Sequence, residues 1–138
     1  MNRAVLRLEG HLPVLDAIAR RLALRAEQSW KEGELRRDGS AHRSAGFSAT
    51  IAATQNPDQL VTAVRVFLKR CKERDLSFSN EGIRAELAIA LSVSDSRQSV
   101  ATLNLLPADL SGLSECGLTL NVTASSAPDP INAAERGA

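Results

Sequence analysis

Residues 56–75 read NPDQLVTAVRVFLKRCKERD, and the punctuation of this stretch decides the architecture. Asn56 can accept hydrogen bonds from the free N–H groups of a first helical turn. Pro57 suits the first helical position, where its missing N–H costs nothing, and Asp58 suits the positive end of the helix dipole. Leu60, Val61, Val64, Phe67, Leu68 and Cys71 then fall at i, i+1, i+4, i+7, i+8 and i+11. They make one continuous apolar face, backed by Arg65, Lys69, Arg70 and Lys72, and predict a helix lying flat on a sheet.

The strands of that sheet announce themselves by a period of two, which sends alternate side chains to opposite faces. Downstream, after a turn at SNEG, the run IRAELAIALSV sets Ile83, Ala85, Leu87, Ile89, Leu91 and Val93 against Arg84, Glu86, Ala88, Ala90 and Ser92. Upstream, Phe47, Ala49, Ile51 and Ala53 alternate with Ser48, Thr50, Ala52 and Thr54, and at the start of the chain Ala4, Leu6 and Leu8 alternate with Arg3, Arg7 and Glu9. Between these two, HLPVLDAIARRLAL places Leu15, Ile18, Ala19 and Leu22 at helical spacing with Pro13 in the first turn, and residues 25–32 read as extended. Past the polar break SDSRQS, VATLNLL reads as a strand pairing back in an antiparallel hairpin, because the connection is short. PADLSGLSECG then reads as a short helix capped by Gly117, and LTLNVTA as a closing strand carrying Leu118, Leu120 and Val122.

The predicted order is β-α-β-β-α-β-β-α-β: an α+β fold with an antiparallel or mixed sheet of about six strands and helices packed on one face. One domain covers residues 1–124. Residues 125–138, SSAPDPINAAERGA, hold prolines, small residues and almost nothing to bury, and predict a disordered tail. The stretches EGHLPVLDAIARRLAL and LNLLPADLSGLSECGLTL share the order strand, Leu-Pro, helix, strand, which convergent helix-start chemistry explains as well as an internal two-fold does.

Composition narrows function by exclusion. The chain has 138 residues, enough for one core without metals or disulfides, and with a single Trp, three Phe and no Tyr that core must be Leu, Val, Ile and Ala. Few aromatics also leave little to stack bases or sugars upon. No apolar run approaches the roughly 20 residues that span a bilayer, and the N-terminus alternates charge with apolar residues, so no membrane association and a cytoplasmic location are expected. Cys71 and Cys116, far apart in sequence, are expected to be free thiols. The net charge of +1 hides an asymmetry: residues 1–75 hold fourteen Lys or Arg against nine Asp or Glu, and the rest hold three against seven. Such a field can steer a charged partner, though screening confines it to about 8 Å at physiological salt.

The candidate chemistry is thin. His11, His42, Cys71 and Cys116 make no recognisable ligand spacing, so no metal is expected, and neither dinucleotide nor P-loop glycine pattern occurs, so no cofactor is expected. Asp38, Ser40 and His42 in DGSAH are the best catalytic set, but three neighbours on one loop seldom reach triad geometry. Trp30, with Lys31, Arg36 and Arg37 after it, reads in two ways: packed at a sheet edge with an Arg on its ring, or an anchor for a partner beside a basic loop. A basic helix face of Arg65, Lys69, Lys72 and Arg74 lacks interleaved aromatics and reads as a solvated surface rather than a nucleic-acid site.

Taken in order, LRLEG, RLALRAEQSWKEGE, LVTAVRVFLKRCKE, GIRAELAIALSV and LSGLSECGLTLNV resemble the bacterial family catalogued as domain of unknown function 4279, over almost everything before the tail. AGFS stands where that pattern has a Trp-bearing strand, which touches the register of that strand. The resemblance carries no catalytic motif. Small bacterial proteins of this size and organisation often serve as immunity proteins that cover a toxin, an analogy of build alone.

The sequence is compatible with three functions. The first is a non-enzymatic protein-binding module, with a toxin as its protein partner, using Trp30, Lys31, Arg36, Arg37, His42 and Arg43 around the charged loop and Arg84 and Glu86 on the outward side of a strand. A homodimer is compatible with it. The second is a small-ligand protein or small enzyme with a cleft between helices and sheet, and the third is nucleic-acid binding through the Arg65–Arg74 face.

Overall fold

The computed structural model describes residues 1–93 and 100–126. In chain order the elements are β1 (Asn2–Gly10), α1 (Leu12–Arg21), β2 (Gln28–Trp30), β3 (Ala45–Thr54), α2 (Pro57–Glu73), β4 (Arg84–Ser92), α3 (Pro107–Cys116) and β5 (Leu118–Ser125). The strands form one open mixed sheet in the order β2-β3-β1-β4-β5, antiparallel throughout except for the β4–β5 pair, which is parallel. The fold is α+β, with five strands among the described residues where about six were expected.

The long helix forms as its sequence dictates. The Asn56 side chain accepts a hydrogen bond from the Asp58 N–H at 2.8 Å, Pro57 opens the helix, and Leu60, Val61, Val64, Phe67, Leu68 and Cys71 are its buried residues. Helix α2 lies on β3 and β1, α1 packs against the same two strands, and α3 rests on α2 and β5. Ala4, Leu6, Leu8, Phe47, Ala49, Ala85, Leu87, Ile89 and Leu91 meet these helices in a single core, so one face of the sheet is covered.

VATLNLL is the correction. Residues 101–106 belong to no strand, and the expected hairpin with β4 is closed to them because β4 has β1 on one side and β5 on the other. The period of two is real: Ala101 and Leu103 pack against the core, whereas Val100 and Leu106 are exposed. Periodicity reports which side chains face inward, not which backbone supplies the hydrogen bonds. With no hairpin, α3 becomes the crossover that parallel pairing of β4 and β5 requires. Its end is as expected, with Gly117 at φ 73 capping the helix in the left-handed region.

In β3 the alternation slips once. The register with β1 shifts between Ala4 and Val5, so Ala4 pairs with Ala52 while Val5 pairs with Thr50, and beyond Ile51 it is Ala52 rather than Ala53 that packs on the core. The extended reading of 25–32 contracts to the three residues of β2. Strand β5 runs through Ser125, one residue into the segment expected as tail, and both SDSRQS and the tail from 127 onward lie outside the described residues. No described helix is long and apolar enough to cross a membrane.

Candidate functional site

Because alternate residues of a strand point oppositely, burying Leu6 and Leu8 turns Arg7 and Glu9 out, and burying Ala85 and Leu87 turns out Arg84 and Glu86. The register then places Arg7 beside Glu86, Glu9 beside Arg84, and Glu86 beside Thr119 of β5. Arg7 Nη2 stands 3.3 Å from Glu9 Oε1, Arg84 Nη1 stands 3.8 Å from Glu9 Oε2, and Asn121 Nδ2 donates to Glu86 Oε1 at 3.1 Å. The uncovered face of the sheet thus carries a polar strip across three adjacent strands, its charges on β1 and β4 and its uncharged end on β5.

Trp30 closes one end of this strip. It pairs with Gly46, and the indole lies directly on the glycine: a Cβ there would overlap the ring and sit 2.6 Å from the Leu8 carbonyl oxygen. The Arg7 guanidinium stands over the indole at 4.7 Å from the ring centroid, within cation–π range. His42 stacks on the same side chain, with centroids 5.0 Å apart and planes at 19°. The indole Nε1–H is shielded and finds no acceptor among the described residues.

The charged loop is a miniature hairpin. Gly33 N–H donates to the His42 carbonyl and His42 N–H to the Glu34 carbonyl, and a single bridge joins Leu35 to Ala41. At its tip, Asp38 accepts from both the N–H and the hydroxyl of Ser40, at 2.9 and 2.6 Å, and these bonds hold the Asp38 carboxyl below the usual carboxylate range. Those contacts form a turn, not a triad. The Ser40 hydroxyl is donated to Asp38, while His42 Nδ1 accepts from Arg36 Nε at 3.4 Å and its ring lies on Trp30.

Of the residues singled out by sequence, the structure brings Trp30, Arg36, His42, Arg84 and Glu86 to the open face. Arg7, Glu9, Arg36, Arg84, Ala85, Glu86 and Thr119 line a basin of about 340 Å³ there. Lys31, Arg37 and Arg43 are exposed along the loop. Arg7 and Glu9, which lie at the centre of the strip, were not among the candidates; their outward alternation was the available signal.

Elsewhere, the basic face of α2 is partly spoken for. Arg65 makes a bidentate pair with Asp109 of α3, Nε to Oδ1 at 2.8 Å and Nη2 to Oδ2 at 2.9 Å, and Asp109 Oδ2 also accepts from the Leu106 N–H at the start of α3. The Arg65 bonds hold the Asp109 carboxyl below its usual value, burial opposing. Arg65, Lys69, Lys72, Asp109, Glu115 and Cys116 are among the residues around a cleft of about 810 Å³ between α2 and α3. Cys71 and Cys116 are free and buried, and the neighbouring Cys116 thiol together with burial pushes the Cys71 thiol up. Among the described residues no group of three or more His, Cys, Asp or Glu is placed to hold a metal ion. No family model, curated protein or solved structure matches the chain.

Proposed function

We propose that the protein is a non-enzymatic binding module that engages a protein partner across the open face of its sheet, and that the partner presents acidic groups. The observation that carries this reading is the seat of Trp30: a large rigid side chain held flat on Gly46 at the margin of a basin that bears Arg7, Arg36 and Arg84 against Glu9 and Glu86. Aromatic and arginine side chains side by side are the composition of interface anchors. Within this reading a toxin occluded by the module is the partner to try first, on the analogy of small bacterial immunity proteins.

The test is co-purification with the product of a neighbouring gene, followed by calorimetry. Arg84→Glu and Trp30→Ala should each weaken the complex at least tenfold, and Asp38→Ala, on the far tip of the loop, should leave it intact. A toxic candidate that forms no complex and stays toxic, or a complex indifferent to both face variants, defeats the proposal. The cleft between α2 and α3 favours a second reading, a small anionic ligand near Lys69 and Lys72, since its volume falls in the range of ligand sites. Binding lost with Lys69→Ala and Lys72→Ala but kept with Arg84→Glu would select it.

A further inference from the structure

The two edges of the sheet are unlike. Edge strand β2 is three residues long and is followed at once by Lys31 and Glu32, the short and charged design that discourages pairing with another chain. Edge strand β5 is eight residues long, and its sequence LTLNVTAS has no charge and no proline in a chain of which 24% is charged. Thr119, Asn121, Val122, Thr123 and Ala124 are all exposed, and no described strand pairs with its outer side.

Its backbone direction can be read from one hydrogen bond. Val93 N–H donates to the Ser125 carbonyl, so Ser125 faces β4. By alternation Thr119, Asn121 and Thr123 face β4 as well, and the N–H and C=O groups of Leu118, Leu120, Val122 and Ala124 point away from the sheet. An antiparallel partner that uses all four of these outward residues must pair Leu118 with Ala124, Leu120 with Val122 and, on the axis between them, Asn121 with Asn121. When the partner is the same strand, that register sets apolar residues opposite apolar ones, Thr119 opposite Thr123, and no charge opposite any charge. Strand β5 is self-complementary about Asn121.

We propose that the protein forms a two-fold symmetric homodimer by antiparallel pairing of β5 with β5 of a second copy, giving one continuous sheet through both. The pairing satisfies the outward backbone groups of both strands and covers Val122, which is 44% exposed although it lies on the helix-covered side of the sheet. It is isologous and closed, so it stops at two copies. It also leaves the Trp30 end of the sheet, four strands away, open to a different partner.

Sedimentation velocity on the full chain tests it, over concentrations up to about 100 μM, where a Kd near 1 μM leaves nearly every chain dimeric. Val122→Pro removes an outward N–H that β4 does not use, and Asn121→Lys places two like charges together on the axis. The expected result is a wild-type dimer, with both variants monomeric and of unchanged circular dichroism. Should Val122→Pro fail to fold, Asn121→Lys carries the test alone. A monomeric wild type across the range, or a dimer that survives Asn121→Lys in a folded protein, overturns the proposal.

Discussion

Replacing Gly46 by alanine should unseat Trp30, and the size of the effect follows from what surrounds the new methyl group. It would be wedged between the indole on one side and the Leu8 carbonyl, 2.6 Å away, on the other. The carbonyl belongs to β1, in the middle of the sheet, and cannot withdraw without loss of register, so the indole must lift. Overpacking of this kind costs about 1–3 kcal/mol. For a chain of this length that is a fall in Tm of roughly 3–12 °C. Lifting the ring also separates it from Arg7 and His42, which stack on it. Trp30 is the only tryptophan, so its fluorescence reports on the seat without interference. Gly46→Ala should red-shift the emission, increase quenching by acrylamide and lower Tm. Trp30→Ala combined with Gly46→Ala should cost less than the sum of the single changes, because the ring that the methyl displaces is gone. Emission and Tm both unchanged in Gly46→Ala would refute the description of Trp30 as seated on that glycine.

Two further predictions concern the helices. Asn56→Ala removes the acceptor of the Asp58 N–H and should lower stability by about 1 kcal/mol, measured by urea denaturation with an unchanged m-value. Asp109→Asn keeps an oxygen for the Leu106 N–H but removes the charge that faces Arg65. The folded-state value of Asp109 lies below the usual 3.8, so its stabilising contribution is complete above that pH and is lost as pH falls through the lowered value. The Tm gap between wild type and Asp109→Asn should therefore be widest near neutrality and close in acid below about pH 4; a gap that widens in acid would contradict the assignment.

The parts of this structure legible in its sequence are those fixed by neighbours along the chain. The cap of α2 and its six buried residues lie within one helix, and the period of two in β4 within one strand. What the sequence does not show is which strands lie side by side. VATLNLL alternates as a strand does, and the presence of β1 and β5 on either side of β4 denies it the expected ladder with β4. The same limit shaped the view of the open face. Arg84, Glu86 and Trp30 stand out locally, whereas the pairing of Arg7 with Glu86 and of Glu9 with Arg84 joins residues nearly eighty positions apart and depends on register. Gly46 carries no signal at all until Trp30 is known to lie on it.

The open face combines a fixed element with exchangeable ones, and that combination bears on how a partner would be recognised. Arg84 has 81% of its side chain exposed and stands at 3.8 Å from Glu9, a spacing and exposure at which an ion pair contributes little to folding. Trading Glu9 for an acidic group of a partner would therefore cost the protein little. Trp30 differs, since strand pairing, the Gly46 seat and the Arg7 and His42 contacts hold its ring before any encounter. A side chain already immobilised loses little conformational entropy on binding. On the proposed function, stability and recognition would fall to opposite faces of one sheet: the aliphatic face holds the helices, and the other would offer a rigid anchor beside charges that can change partners without loosening the fold.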